Sequence, residues 1–164
     1  MSENIIDQTP QPGDVIYVHR KWGVLPYNHY GVFIGDDGGL KDQVIHFRGK
    51  ENEIAFADAD IVQTSLEDFL KGGKLKIQKR DLKGWEPFST EEIIRKAKLH
   101  CGEKRGTYDL RYNNCEHFAN ECRFGKHYSF QQKVGDGVIW VVGGAIIAVG
   151  SYLGGKYSNK NDCI

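Results

Sequence analysis

The sequence predicts an α+β domain, an antiparallel sheet packed with helices. Three observations carry that reading. Short apolar runs rich in strand formers recur early in the chain, separated by turn residues. A helix-start pattern, Ser89-Thr90-Glu91-Glu92, opens a stretch with apolar residues on one helical face. A second helix start, Asn113-Asn114, follows in the last third of the chain.

Taken in order, residues 1–11 are polar, hold Pro10, and read as a loose arm. Pro12-Gly13-Asp14 is a turn, and residues 15–19 follow as a strand. Residues 21–28 read as a loop. The run His29-Tyr30-Gly31-Val32-Phe33-Ile34-Gly35 is the second strand and ends at Asp36-Asp37-Gly38-Gly39, with 37–43 reading as a stretched turn. Val44-Ile45-His46-Phe47 is the third. Strand, turn, strand at this spacing predicts antiparallel pairing.

Residues 61–64 are a fourth strand candidate. Ser65 caps a short predicted helix over 66–70, stopped by Gly72-Gly73, and residues 74–79 alternate as an amphipathic strand does. In the helix after Ser89, residues Ile93, Ile94, Ala97 and His100 or Cys101 share a face, and Gly102 is the predicted stop. The last helix runs from about Asn114 through Phe118, Ala119 and Cys122 to Gly125.

The 164 residues suffice for one domain, expected over 12–130. Lysine and arginine number 22 and acidic residues 22, so no basic excess points to a nucleic-acid partner. Cys101, Cys115, Cys122 and Cys163 show no CxxC pair or zinc spacing. No apolar leader core occurs in the first residues, so the chain is expected in the cytosol, where thiols stay reduced.

Residues 137–155 carry no charge. As a helix they would reach about 28 Å, near the thickness of a bilayer core. Glycines, a Gly150–Gly154 small-xxx-small pair, and Trp140 and Tyr152 near the ends suit a membrane helix. The sequence therefore predicts a C-terminal hydrophobic helix, a membrane anchor over 134–156, followed by a polar tail over 157–164. The glycine pair would allow a homodimer through that segment. Val138, Ile139, Val141 and Val142 also suit a buried strand pair. The position of the segment suggests a single-pass tail anchor with its catalytic domain in the cytosol. Cys163 is second from the end and does not fit a prenylation box.

Chemistry is predicted at Cys115. An Asn pair before a helix supplies the N-cap and sets Cys115 in the first turn, where helix dipole and amides stabilise a thiolate and an oxyanion. A thiolate nucleophile needs a base. Six histidines are present: His19, His29, His46, His100, His117 and His127. His29 and His46 each sit in an apolar strand run, a poor place for an imidazole without a task or partner. On consecutive strands they would meet across the ladder, one as base and the other as its orienting group. His117, two positions from Cys115 on one helix, should point to another face. A zinc site of His29, His46 and Cys115 lacks supporting spacing, so no metal is expected.

These residues resemble a known family. Asn114-Cys115-Glu116-His117-Phe118-Ala119-Asn120, followed by Cys122-Arg123-Phe124-Gly125, is similar to the NCEHF box of the lecithin retinol acyltransferase family, and closest in type to its HRAS-like suppressor phospholipase/acyltransferases. The His29 run, the Val44-Ile45-His46-Phe47 run and Pro12-Gly13-Asp14-Val15-Ile16 resemble its histidine strands and opening turn. The resemblance implies a circularly permuted NlpC-type papain-like fold, with Cys115 as nucleophile, His29 as general base and His46 as third triad member. It implies a phospholipid acyl donor, a thioester on Cys115, and water, an amine or an alcohol as acceptor, with no cofactor. No feature marks a retinol pocket. The alternatives are a papain-like cysteine peptidase or amidase, or a non-catalytic interaction protein of the same fold.

Overall fold

The computed structural model describes residues 9–22, 25–49, 58–79, 84–107 and 114–129, with the backbone of 140–142 and 145–147. Strands β1 (Val15–Trp22), β2 (Leu25–Asp37), β3 (Leu40–Gly49), β4 (Asp58–Ser65), β5 (Lys76–Ile77) and β6 (Lys104–Thr107) form one antiparallel sheet in the order β5-β1-β2-β3-β4-β6. Helix α1 (Leu66–Leu70) follows β4, α2 (Thr90–His100) follows β5, and α3 (Cys115–Phe124) follows β6. The fold is thus the expected mixture of an antiparallel sheet and a few helices.

The first hairpin is longer than the sequence suggests. Residues expected as a loop over 21–28 instead extend the ladder from Val15↔Val32 out to Trp22↔Leu25. Tyr27 favours a strand. Pro26, which has no amide hydrogen, is tolerated because β2 pairs with β3 only from Gly31 onward. The next turn is tighter than expected. Asp37 pairs with Leu40 across Gly38 and Gly39, whose φ angles of 57° and 81° lie where glycine is unstrained. Residues 40–43, read as part of a stretched turn, belong to β3. Register shifts flank Gly35, and these absorb the difference in strand length.

Both predicted caps form. Ser65 accepts from the Asp68 amide at 3.1 Å, and Ser89 from the Glu92 amide at 3.3 Å. The Glu92 carboxylate bonds to Arg95, at 2.8 Å from both Nε and Nη2. The left-handed cap of α1 falls on Lys71, φ 46°, one residue before the predicted glycine stop.

Alternate residues of each strand build two cores. Val15, Tyr30, Val32, Ile34, Ile45, Phe47 and Ile61 face Ile93 and Ala97 of α2 and Cys115, Phe118, Ala119 and Cys122 of α3. Ile16, Val18, Phe33 and Val44 face Phe69 of α1 on the other side. The sheet is therefore covered on both faces at the β1–β4 centre.

The C-terminal segment departs from expectation. Where a helix over 137–155 was predicted, β7 (Trp140–Val142) and β8 (Ala145–Ile147) pair antiparallel. Valine and isoleucine lose side-chain freedom in a helix and fit a pleated strand, and two glycines separate the strands in sequence. The rest of that segment lies outside the described residues. Among the described residues no helix is long and apolar enough to cross a membrane.

Candidate active site

The two strand histidines meet. His46 stands opposite Gly31, two residues beyond His29, so the imidazoles are diagonal neighbours on one face at the end of the β2–β3 ladder. His29 Nε2 lies 2.9 Å from His46 Nδ1. His46 Nε2 lies 3.1 Å from Thr64 Oγ1 on β4. Phe69 closes the pair: its ring stacks on His29 at 5.1 Å and meets His46 edge-on at 5.2 Å. Gly31 makes room for this. A Cβ there would lie 2.9 Å from the Phe69 ring and 2.7 Å from Val44.

Burial governs how these rings titrate. His29 and His46 are 6% and 4% exposed. Burial holds His29 well below the ordinary imidazole value, and neighbouring His46, Arg20 and Lys71 push the same way. Burial likewise lowers His46 to about 3, with Arg20, Arg48 and Lys71 adding. At neutral pH both rings are uncharged, as a proton acceptor must be.

Cys115 opens α3 as predicted and is fully buried. Asn114 is the cap: its Oδ1 accepts from the Glu116 and His117 amides at 2.9 and 3.0 Å. His117 Nδ1 accepts in return from the Asn114 amide at 3.3 Å, closing a capping box with histidine where glutamate is usual. The His117 ring stacks on His127 at 4.4 Å. Behind the cap, Ser129 donates to Glu116 Oε2 at 2.7 Å and accepts from Asn114 Nδ2 at 3.1 Å. Asn114, Glu116, His117 and Ser129 are all buried.

One part of the sequence expectation changes here. The Glu116 and His117 amides, candidates for holding an oxyanion, are taken by the cap. The hairpin of β1 and β2 carries a further polar pair. Arg20 is paired with Tyr27 across β1 and β2, bonds its side chain, and donates to the Phe69 carbonyl at 2.6 Å. Burial raises Tyr27 above its ordinary value, Arg20 opposes, and the charge of Cys115 raises it further. Tyr27 therefore keeps its hydroxyl hydrogen and senses the thiol.

The thiol and the histidines belong to different layers, Cys115 to the α2–α3 core and the histidines to the α1 side. The thiol reaches the backbone of the stretch of β2 that β3 does not cover. There Cys115 Sγ donates to the Asn28 carbonyl at 3.5 Å, one residue before His29. Of the remaining histidines, His19 is exposed and bonds Asn28 Oδ1 and Lys76 Nζ at 2.5 and 2.8 Å, and His100 bonds Glu103 at 2.9 Å. Thr64, Phe69, Tyr27, Arg20 and Ser129 were not marked by sequence. Only the helix period around Phe69 hinted at a buried ring; the others lie in polar stretches with no local signal.

A buried thiol thus opens a capped helix and touches the backbone of the strand that carries His29, whose ring pairs with His46. Comparison with known proteins gives the family. Residues 8–128 match the lecithin retinol acyltransferase family, and the chain belongs to it. Human phospholipase A and acyltransferase 4 is 30% identical over 166 residues, covering 93% of this chain and 95% of that protein. Phospholipase A and acyltransferase 3 of Mus musculus is 31% identical, covering 86% and 87%. Phospholipase A and acyltransferase 1 of Rattus norvegicus is 28% identical, covering 84% and 81%.

Proposed function

We propose that the chain is a thiol-dependent phospholipid acyltransferase and phospholipase A. The observation that carries the reading is the meeting of Cys115, at the capped start of α3, with the strand that bears His29. The relatives' names supply the substrate class. The order of elements, histidine strands before the cysteine helix, supports reading the fold as a circularly permuted NlpC-type papain-like domain.

In this mechanism the thiol leaves the Asn28 carbonyl and gives its proton to His29 Nδ1, the ring nitrogen turned away from His46. Sγ attacks the ester carbonyl of a phospholipid, and an S–C bond forms as the C=O electrons move to oxygen. The Tyr27 hydroxyl and the Arg20 guanidinium stabilise that oxyanion. Collapse breaks the C–O bond, and the lysophospholipid leaves with the proton from His29. Water, an amine or an alcohol then attacks the thioester, with His29 again as base, and frees Cys115. His46 holds the imidazolium that forms between the steps. No cofactor enters the scheme.

Such an enzyme works at a bilayer surface. Residues 137–155, uncharged throughout, are the part of the chain suited to touch lipid. Gly150 and Gly154 would serve a homodimer contact there. The test is fatty-acid release from phosphatidylcholine vesicles by wild type, Cys115→Ala and His29→Asn. Cys115→Ala should be inactive and His29→Asn slower by about a hundredfold or more. Undiminished release by either variant would remove that residue from the mechanism.

A further inference from the structure

Thr64 lies on β4 two residues from Val62, the partner of His46, and so shares a sheet face with the imidazole. Its hydroxyl has two neighbours of different character. The bond directions along the chain follow when the hydroxyl hydrogen is directed to the Ser65 carbonyl, 3.3 Å away, which can only accept. Oγ1 is left with a lone pair for His46 Nε2 at 3.1 Å, and that nitrogen must carry the hydrogen. A neutral His46 with hydrogen on Nε2 has a bare Nδ1. His29 Nε2, 2.9 Å from it, must then be the donor. A neutral His29 with hydrogen on Nε2 has its lone pair on Nδ1.

We propose that Thr64 is a positioning residue that fixes the tautomers of both histidines and thereby makes His29 Nδ1 the basic atom. The inference rests on His29 being the base proposed above. In the opposite hydrogen-bond direction His46 would donate from Nδ1, His29 would carry its hydrogen on Nδ1, and the proton acceptor would be blocked. The chain also serves the charged state. When His29 Nδ1 takes a proton, its Nε2–H stays on His46, and His46 stays on Thr64, with no rearrangement of hydrogens. A threonine in a half-buried strand position has a bland role as a β-former; the direction of its two bonds distinguishes this one.

The test is nitrogen NMR of 15N-histidine-labelled full-length protein at pH 7, with release kinetics on phosphatidylcholine vesicles. In wild type both His29 and His46 should carry hydrogen on Nε2. Thr64→Val keeps the shape and removes the hydroxyl. It should populate the Nδ1–H form of His29 and lower kcat by about tenfold with KM little changed, because bias and polarisation are both lost. Thr64→Ser, which keeps the hydroxyl, should restore both tautomer and rate. Hydrogen on Nδ1 of either ring in wild type, or unchanged tautomers and kcat in Thr64→Val, would overturn the proposal. So would a Thr64→Ser variant as impaired as Thr64→Val. The wild-type spectrum decides even if Thr64→Val does not fold. Activity that survives Cys115→Ala would instead overturn the thiol mechanism and leave the tautomer assignment standing.

Discussion

Acid should destabilise this fold well before its carboxylates protonate, and His46→Asn should remove much of the effect. His46 is neutral when folded, held near 3 by burial, and titrates near 6.5 when unfolded. Between those values the unfolded chain binds more protons than the native one. Its contribution is therefore whole above pH 6.5 and is lost progressively as pH falls toward 3. At 1.36 kcal/mol per pH unit, lowering pH from 7 to 5 costs about 2 kcal/mol from His46 alone. His29, shifted in the same direction, adds to it. The depressed carboxylates of Asp37 and Glu92 act only below their own unfolded values near 4, so the window from 7 to 5 belongs to histidines. Urea unfolding at pH 7, 6 and 5 measures this directly. Asparagine places a polar group near the former Nδ1, and its pH slope should be shallower by about 2 kcal/mol across the window. Equal slopes in variant and wild type would refute the claim that the folded dyad excludes protons.

Other variants probe the supports of the site. Gly31→Ala should destabilise by about 1–3 kcal/mol in urea, because its Cβ meets Val44, Phe69 and the His46 Cβ at 2.7, 2.9 and 3.2 Å. Ser129→Ala leaves the Glu116 carboxylate and the Asn114 carboxamide each short of a bond, at a cost of about 1–3 kcal/mol by the same assay. Lys98→Ala, which breaks only a half-exposed ion pair with Asp37, should change stability by less than about 1 kcal/mol.

How much of this was legible depends on how local the cause is. The Asn114 cap, the Ser65 and Ser89 caps and the Cys115 position follow from residues within four places of one another, and the sequence shows them. The meeting of His29 and His46 needed only strand parity and one hairpin, and it too was visible, though as a diagonal and not a direct pair. The length of β1 and β2 was hidden because Pro26 and Asn28 signal a loop; pairing with β1 overrides them. Thr64, Phe69 and Ser129 reach the site through tertiary packing, from positions whose own neighbours say nothing about histidines or thiols. In the 137–155 segment the sequence left two readings open, and β7 and β8 fall on the strand-pair one. Its composition satisfies a membrane helix and a β-hairpin alike, and periodicity does not separate the two in a run without polar residues.

The central claim is that acyl groups pass through Cys115. Intact-protein mass spectrometry after incubation with phosphatidylcholine vesicles tests it most directly. Wild type should gain the mass of one acyl chain, and Cys115→Ala should gain none. No adduct on wild type, with no free fatty acid in the vesicles, would contradict the phospholipid reading and favour a thiol peptidase or a non-catalytic role.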